Sequence, residues 1–281
     1  MWDRDLRKEF GAMVPTWGVS ASPVVDGDLV LFDVGGRRDH GIMAFHKKSG
    51  EVAWASDSGI PGYSSPLTVE LDGARQSIFF TGSQLISLDP TNGRRHWSKP
   101  WKTAYDVNAA APVHVPPDSV FVSSGYDTGA SLLKVMRRDG ALDVEEIWHT
   151  DSMKNQFSSS IYHDGHLYGF DDKELKCIDA ETGEDRWRKI GFGHGSLILL
   201  GEHLAVLGDQ GTLAVVAADP EGYREYGSFK VARGKHWTAP TYHRGRLLVR
   251  NQRELVAFQV GPPAAPAPPR PPAAPKAPPD R

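Results

Sequence analysis

The residues best suited to bind a ligand combine large aromatic rings with hydrogen-bonding groups and stand beside small residues. They occur in six short segments, each just before a predicted strand. Aromatic faces with a few polar groups suit a small polar molecule or a glycan, and small neighbours let a ligand approach the backbone. The candidate ligand-binding residues are Trp17, Ser20, Tyr63, Ser64, Asn108, Gln156, Phe157, His194, His236 and Trp237. The alternative is that these side chains only fill space and hydrogen bond to one another.

Patterns typical of catalysis are missing from the sequence. It contains no G-x-S-x-G, H-E-x-x-H or G-x-x-x-x-G-K-[ST] motif. Cys177 is the one cysteine, which excludes an internal disulfide and a cysteine-cluster metal site. His163 and His166 flank an Asp-Gly turn, and we interpret them as part of a solvated hairpin. We therefore predict no catalytic residue and no metal site.

Composition narrows the class of partner. The 281 residues carry a net charge of −3, which gives no general attraction to nucleic acid or to an anionic membrane. Basic pairs at Lys47-Lys48, Arg94-Arg95 and Arg137-Arg138 fall in predicted turns, where we expect them to aid solubility. No apolar run is long enough for a transmembrane segment. We expect a monomer that binds no nucleic acid.

The chain repeats throughout its length. Six segments begin with similar small, proline-containing or hydroxyl-rich runs, spaced by roughly 36 to 48 residues. Each is followed by a turn signal, and two further turns separate the short apolar runs that come after it. The segments begin at Ser22, Ser65, Ala111, Ser159, Gly195 and Ala239.

Four short strands per repeat predict an all-β fold. Four-stranded units with this period close radially into a β-propeller. A two-sheet sandwich would not explain why Trp54 and Trp97 each lie 31 residues after the proline that opens their repeat. We therefore predict a β-propeller of four-stranded blades, with about six repeats, over residues 1–260.

The turn before the last strand of a repeat carries the most specific motif. Asp179 to Trp187 reads D-x-x-T-G-x-x-x-W, and Asp89 to Trp97 is nearly the same. His46 to Trp54 departs at the Asp and Thr positions, and the stretch that ends at Trp148 carries an insertion. These motifs resemble the repeats of the pyrroloquinoline-quinone-type (PQQ-like) β-propeller family. The resemblance implies that the aromatic side chains pack between neighbouring blades, namely Trp2, Trp54, Trp97, Trp148 and Trp187.

The resemblance allows two functions. Quinoprotein dehydrogenases of this family hold PQQ with an adjacent cysteine pair, a stacking Trp and a calcium ion. Cys177 is alone, and no carboxylate cluster accompanies Asp106 and Asn108, so we expect neither PQQ nor calcium. The BamB-type outer-membrane-assembly lipoprotein shares the repeat. We therefore predict a non-catalytic binding or scaffolding module for a protein partner, or for a small polar ligand or glycan at the channel mouth. A PQQ-dependent dehydrogenase is the alternative.

The two ends of the chain leave further expectations open. The sixth repeat lacks a fourth strand, so Trp2 to Leu6 could supply it and close a six-bladed ring. The alternative is a chain shortened from an eight-bladed relative. The resemblance implies a periplasmic or exported protein, whereas the charged start has no signal peptide and predicts a cytoplasmic one if it is the natural start.

The last segment is distinct from the repeats. Residues 261–281 hold ten of the 21 prolines and no Leu, Ile, Val or aromatic residue, which predicts a disordered or polyproline tail. We interpret it as a spacer, and a PxxP ligand for an SH3-type partner at Pro266 to Pro269 is the alternative.

Overall fold

In the part of the chain that the structure describes, strands that are consecutive in sequence pair antiparallel to form six sheets, five with four strands and one with three. The computed structural model describes residues 1–56 and 59–261. The prediction of an all-β propeller with about six blades is confirmed. Residues 262–281 of the predicted tail lie outside the described residues.

One short helix, α1 (Leu6–Phe10), precedes the sheets, and a 3₁₀ turn (Ala104–Asp106) joins blades 2 and 3. Blades 1 to 3 comprise β1 (Val24–Asp26), β2 (Leu29–Asp33), β3 (Ile42–His46), β4 (Val52–Ser56), β5 (Leu67–Leu71), β6 (Ala74–Phe80), β7 (Gln84–Leu88), β8 (Arg95–Pro100), β9 (Val113–Val115), β10 (Ser119–Ser124), β11 (Gly129–Arg138) and β12 (Ala141–Thr150). Blades 4 to 6 comprise β13 (Ile161–His163), β14 (His166–Asp171), β15 (Glu174–Asp179), β16 (Asp185–Lys189), β17 (Ser196–Leu200), β18 (His203–Leu207), β19 (Thr212–Ala217), β20 (Glu225–Lys230), β21 (Thr241–His243), β22 (Arg246–Arg250) and β23 (Leu255–Gln259).

The hydrophobic core lies between neighbouring blades. Successive side chains of a strand point to opposite faces of its sheet, and each inner blade has a neighbour on both faces. Phe79 therefore packs toward blade 1 while the next residue, Phe80, packs toward blade 3. Both are almost fully buried. This two-sided burial explains why the middle strands are continuous apolar runs rather than alternating ones.

The blade-end tryptophans join each blade to the next. The indole nitrogen of Trp54 donates to the carbonyl of Pro90 at 2.9 Å, and that of Trp148 donates to Ala180 at 3.2 Å. Trp187 likewise donates to Asp219 at 2.7 Å. Each acceptor lies in the turn between the third and fourth strands of the following blade. The Trp rings thus bury a large apolar surface and satisfy their N–H groups at one interface.

Trp97 is the exception among these residues. Its indole nitrogen donates to Gln76 Oε1 of its own blade at 2.8 Å. The following blade has no D-x-x-T-G turn, because β11 and β12 are ten residues each and meet in a tight turn at Asp139 and Gly140. Trp97 therefore has no turn carbonyl of the usual kind to bind.

The N-terminal segment does not form the outer strand of the last blade, so that prediction is wrong. β21, β22 and β23 form a three-stranded sheet, and Leu6 begins a helix. Asp5 caps this helix by accepting from Lys8 N, and Gly11 ends it in the left-handed conformation. The helix caps Asp5 and Gly11 therefore determine the local conformation, and the prediction of a strand at Trp2 to Leu6 did not take them into account.

The same segment covers the outer face of blade 1. Trp2, Leu6 and Phe10 pack with Met43 and Phe45, on the face of blade 1 that turns away from blade 2. The Trp2 indole nitrogen donates to Lys47 O at 3.0 Å. Trp2 thus makes the contact of a blade-end Trp without lying in a strand.

Candidate functional site

The segments that precede the first strands of blades 2, 3 and 6 are anchored by buried polar groups. Asn108 is fully buried, donating to Thr81 O at 2.8 Å and accepting from Ser124 Oγ at 2.7 Å. His236 is also fully buried, and its backbone N–H donates to Asp209 O at 2.8 Å. These bonds hold the segments in place and leave the Asn108 amide with protein partners on both sides.

Asp33 anchors the segment that carries Tyr63. Its Oδ2 accepts from the backbone N–H of Gly62 at 2.9 Å, at the end of β2. Burial raises the pKa of Asp33 to about 7, although the backbone hydrogen bonds from Gly62 and Gly35 act in the opposite direction. A buried titratable group with a pKa near neutrality therefore contacts the segment that carries Tyr63.

A first group of aromatic rings lies across blades 1 to 3, at the end of the propeller where the chain enters the first strand of each blade, which we call the mouth. Trp17 stands 6.1 Å from both Tyr63 and Tyr105, measured between ring centroids. Tyr105 stands 5.9 Å from Tyr126 in an edge-to-face arrangement. Trp17 is 57% exposed and Tyr105 is 73% exposed. We call these four residues the mouth aromatic patch.

Hydrogen bonds fix the patch to the inner segments. The Tyr63 hydroxyl accepts from Trp17 N at 3.3 Å, and the Ser20 hydroxyl donates to Tyr63 O at 3.1 Å. Tyr63 N donates in turn to Asn108 O at 3.0 Å. Ser64 is buried and donates to the carbonyl of Ser65. The predicted residues of blades 1 to 3 are therefore connected by direct contacts.

A second group lies at the mouth across blades 4 to 6. Phe157 is 4.7 Å from Trp237 and 6.1 Å from His194, between ring centroids. Lys235 Nζ lies 3.1 Å from the centre of the Trp237 ring, a cation–π contact. His194 Nδ1 lies 3.4 Å from Asp172 Oδ1 and makes no hydrogen bond. The predicted residues thus assemble into two groups rather than one ring.

A cleft of about 370 Å³ opens beside the second group. It runs along β13 and β17 and is lined by Phe157, Trp237, the hydroxyls of Ser158 to Ser160, and Ser196. The hydroxyl of Ser196 is buried without a hydrogen-bond partner, as is the amide oxygen of Gln156 in the preceding segment. Phe157 and Trp237 give the cleft aromatic walls, and Ser196 gives it a hydroxyl without a partner, a combination that suits a small polar ligand.

The sequence interpretation missed Tyr105 and Tyr126. Both adopt the left-handed backbone conformation, with φ of 62° and 57°. Tyr126 lies in the run Gly125-Tyr126-Asp127-Thr128-Gly129, whose glycines and aspartate are a turn signal. Such a signal predicts that a loop presents the residue, and it could have identified Tyr126 as exposed.

The side chains present do not fit the quinone and calcium set of the dehydrogenases. Cys177 is fully buried in β15, and burial raises the pKa of its thiol to about 12, so it stays protonated. Over residues 1–56 and 59–261, no three His, Cys, Asp or Glu residues come together as metal ligands.

A family model described as outer membrane protein assembly factor BamB matches residues 1–189, which is more than half of the chain. The chain belongs to the BamB family. The predicted PQQ-like, BamB-type resemblance is thereby confirmed. No curated protein matches the sequence.

Solved structures show the same fold as this BamB-family chain. BamB from Moraxella catarrhalis has a TM-score of 0.64 and 16% identity, covering 85% of this chain and 72% of its own. The β-propeller domain of Myceliophteria thermophila Cps50 (Swd1) has a TM-score of 0.55 and 14% identity, covering 86% of each chain.

A quinohemoprotein alcohol dehydrogenase from Comamonas testosteroni is also similar. It has a TM-score of 0.54 and 12% identity, covering 83% of this chain and 51% of its own. The structural similarity of these three proteins shows the propeller fold. At such low sequence identities, it shows no shared activity.

In the described part of this BamB-family chain, no helix has the length and hydropathy that a membrane span requires.

Proposed function

We propose that this protein is a non-catalytic scaffold that binds a protein partner through the mouth aromatic patch. The observation that carries the proposal is the continuous ring contact of the mouth aromatic patch, in which Trp17, Tyr105 and Tyr126 are exposed and Tyr63 is half-buried. Exposed Trp and Tyr rings dominate the energetics of protein interfaces, because they bury much area at low entropic cost.

Family membership supports a partner in outer-membrane assembly. The matching family is named for a factor that assembles outer membrane proteins. We propose the periplasm as the compartment in which this chain acts, in keeping with that family. A rigid propeller rim fits such a role, because a preorganised surface loses little entropy on binding.

Site-specific photo-crosslinking in the source cell tests this function. A benzoylphenylalanine at Tyr105 or Tyr126 is expected to capture the same protein. The matched control is Tyr226, which is exposed but lies on β20 in the outer strand of blade 5. Trp17→Ala should then weaken binding of the captured protein about thirtyfold, and Tyr226→Ala should leave it unchanged. Identical adducts from all three positions, or none from Tyr105 and Tyr126, would overturn the proposal.

A small polar ligand or glycan is the second candidate, favoured by the serine-lined cleft beside Phe157 and Trp237. Sugar rings stack on aromatic faces and hydrogen bond to hydroxyls, both of which this cleft supplies. If a glycan is the ligand, Trp237→Ala should remove binding of a soluble glycan, whereas Trp17→Ala should leave that binding unchanged.

A further inference from the structure

Another cleft lies on the opposite side of the propeller from the mouth. Its volume is about 660 Å³, and it separates blade 2 from blade 3. Its walls are the start of β6, the turn between β7 and β8, and the tip of the hairpin formed by β11 and β12. This volume is within the range of small-molecule sites in proteins.

The cleft exists because blade 3 departs from the repeat. In blades 2 and 4, a turn that begins with Asp and ends with Gly covers the Trp of the preceding blade. Blade 3 has a long hairpin in place of this turn. The indole nitrogen of Trp97 donates instead to Gln76 in its own blade. The hairpin instead lies along β8, where Lys99 pairs with Glu146 at 3.3 Å. The space that a turn fills elsewhere is open at this interface.

Positive charge lines this space. Its charged lining residues are Arg75, Arg94, Arg95, Arg137, Asp89 and Asp139, with His96 beside them. Asp89 is engaged by its own turn, since it accepts from Thr91 N at 2.9 Å and from Asn92 Nδ2 at 3.0 Å. These bonds help to keep the pKa of Asp89 below its usual value, so Asp89 stays ionised, and the four arginines outnumber the two carboxylates of the lining.

The arginines differ in how firmly the protein holds them. Arg75 is ion-paired with Asp26 of blade 1. Arg137 is held loosely, with its Nε 3.8 Å from Asp72 Oδ2. Arg94 is exposed, and its guanidinium forms no ion pair with any described residue. Arg94 and Arg137 therefore approach the cleft from two blades with donors to spare.

His96 also belongs to the lining of the cleft. Its Nε2 is buried and has no hydrogen-bond partner. Burial lowers the pKa of His96, Asp89 opposes this, and the positive charges of Arg94 and Arg137 add to the lowering. The ring is therefore a neutral hydrogen-bonding group, and its free nitrogen is unusual because buried polar atoms normally have partners.

We propose that this cleft binds a phosphate-bearing anion, with Arg94 and Arg137 as its main ligands and His96 as an additional hydrogen-bonding partner. Guanidinium groups match phosphate oxygens with paired N–H donors, and such charge-assisted bonds are stronger than neutral ones. A phosphate group supplies several acceptor oxygens and two negative charges, which complement donors that converge from two blades. The ligand is either a soluble phosphate compound or a phosphate headgroup of a lipid.

Calorimetric titration of the whole protein with inorganic pyrophosphate tests the proposal. Ionic strength is held constant, since diffuse attraction is screened by salt. Arg94→Ala and Arg137→Ala should each weaken binding about tenfold, as expected for one charge-assisted hydrogen bond. Arg138→Ala is the matched control, because Arg138 is on the same hairpin but pairs with Asp143 and Glu145. It should leave the affinity unchanged.

A second arm distinguishes the two sources of phosphate. Phosphatidylcholine vesicles with and without phosphatidic acid are mixed with the same proteins and sedimented. Binding of pyrophosphate that depends on Arg94 and Arg137 supports a soluble ligand. Co-sedimentation only with phosphatidic acid, and with the same dependence, supports a lipid headgroup. Absence of both, or binding that falls equally in Arg138→Ala, overturns the proposal. Both substituted arginines are exposed, so circular dichroism should show the variants folded.

Discussion

Among single residues, Asp33 shows how the fold gives an ordinary side chain unusual properties. It follows an apolar run at the end of β2, and nothing in its local sequence distinguishes it from a solvated strand end. The structure buries it behind the Gly62 segment, which raises its pKa to about 7. The effect depends on a neighbouring blade, so sequence alone could not predict it.

The raised pKa makes stability depend on pH. Because the folded state holds the Asp33 proton more tightly than the unfolded chain, the free energy of unfolding falls as pH rises from about 4 to 7. Asp33→Asn removes this contribution. The variant should match the wild type near pH 4 and exceed it at pH 8 by about 1.4 kcal/mol for each unit of pKa shift.

Urea unfolding at several pH values measures this difference. Asp39→Asn is a suitable control, because Asp39 is an exposed carboxyl in the loop that follows β2. Parallel curves of stability against pH for the wild type and Asp33→Asn would show that Asp33 is not the group responsible.

Among the elements, the turns between third and fourth strands were the best predicted feature. The D-x-x-T-G-x-x-x-W pattern and its imperfect copies are local, so they located Trp187, Trp54 and Trp148 at blade interfaces without knowledge of the structure. Helix α1 was missed because Trp2 suggested a strand. The helix signals Asp5 and Gly11 were nevertheless present in the sequence.

Two turn glycines, Gly93 and Gly140, are required for different reasons: backbone conformation alone at Gly140, and backbone conformation together with a close contact at Gly93. Gly93 has φ of +72°, and a Cβ there would lie 2.5 Å from Cε3 of Trp54. Gly140 has φ of +82°, but a Cβ there would meet nothing within 4 Å. Gly140→Ala should cost about 1–2 kcal/mol from backbone strain alone. Gly93→Ala should cost about 1–3 kcal/mol more, because it also displaces the ring.

Thermal and urea denaturation of both variants gives the comparison. Adding Trp54→Ala to Gly93→Ala tests the cause, because the smaller residue removes the clash and the two effects should not add. Equal losses in Gly93→Ala and Gly140→Ala would mean that the ring moves aside without cost.

At the scale of the whole molecule, two features cannot be predicted from a single repeat. They are the arginine-lined cleft between blades 2 and 3 and the N-terminal segment that covers one face of blade 1. The sequence presents Arg94, Arg95 and Arg137 as ordinary turn residues, and they line one space only because blade 3 lacks the usual turn beside Trp97. The mouth aromatic patch likewise needs segments from three blades. A repeat pattern predicts the blade well, whereas features between unlike blades need the assembled structure.

The first and last blades differ in how much of their surface is covered. Blade 1 has its outer face covered by Trp2, Leu6 and Phe10. Blade 6 has three strands in the part of the chain described, and its hydrophobic contact is with blade 5 through Leu247 and Val249. Leu255, at the start of β23, is 64% exposed.

Blade 6 should therefore open more readily than the inner blades. Local opening is easiest where few apolar contacts hold a unit, so amides of β22 should exchange with deuterium at least about tenfold faster than those of β14 in blade 4. Mass spectrometry of peptic peptides from the intact protein resolves the two strands. Leu247→Ala should accelerate exchange in β22 without affecting β14, because a cavity there weakens the contact with blade 5. Equal protection of β22 and β14 would show that another element or molecule covers blade 6 in solution, since three strands with one packed face cannot match a blade enclosed on both sides.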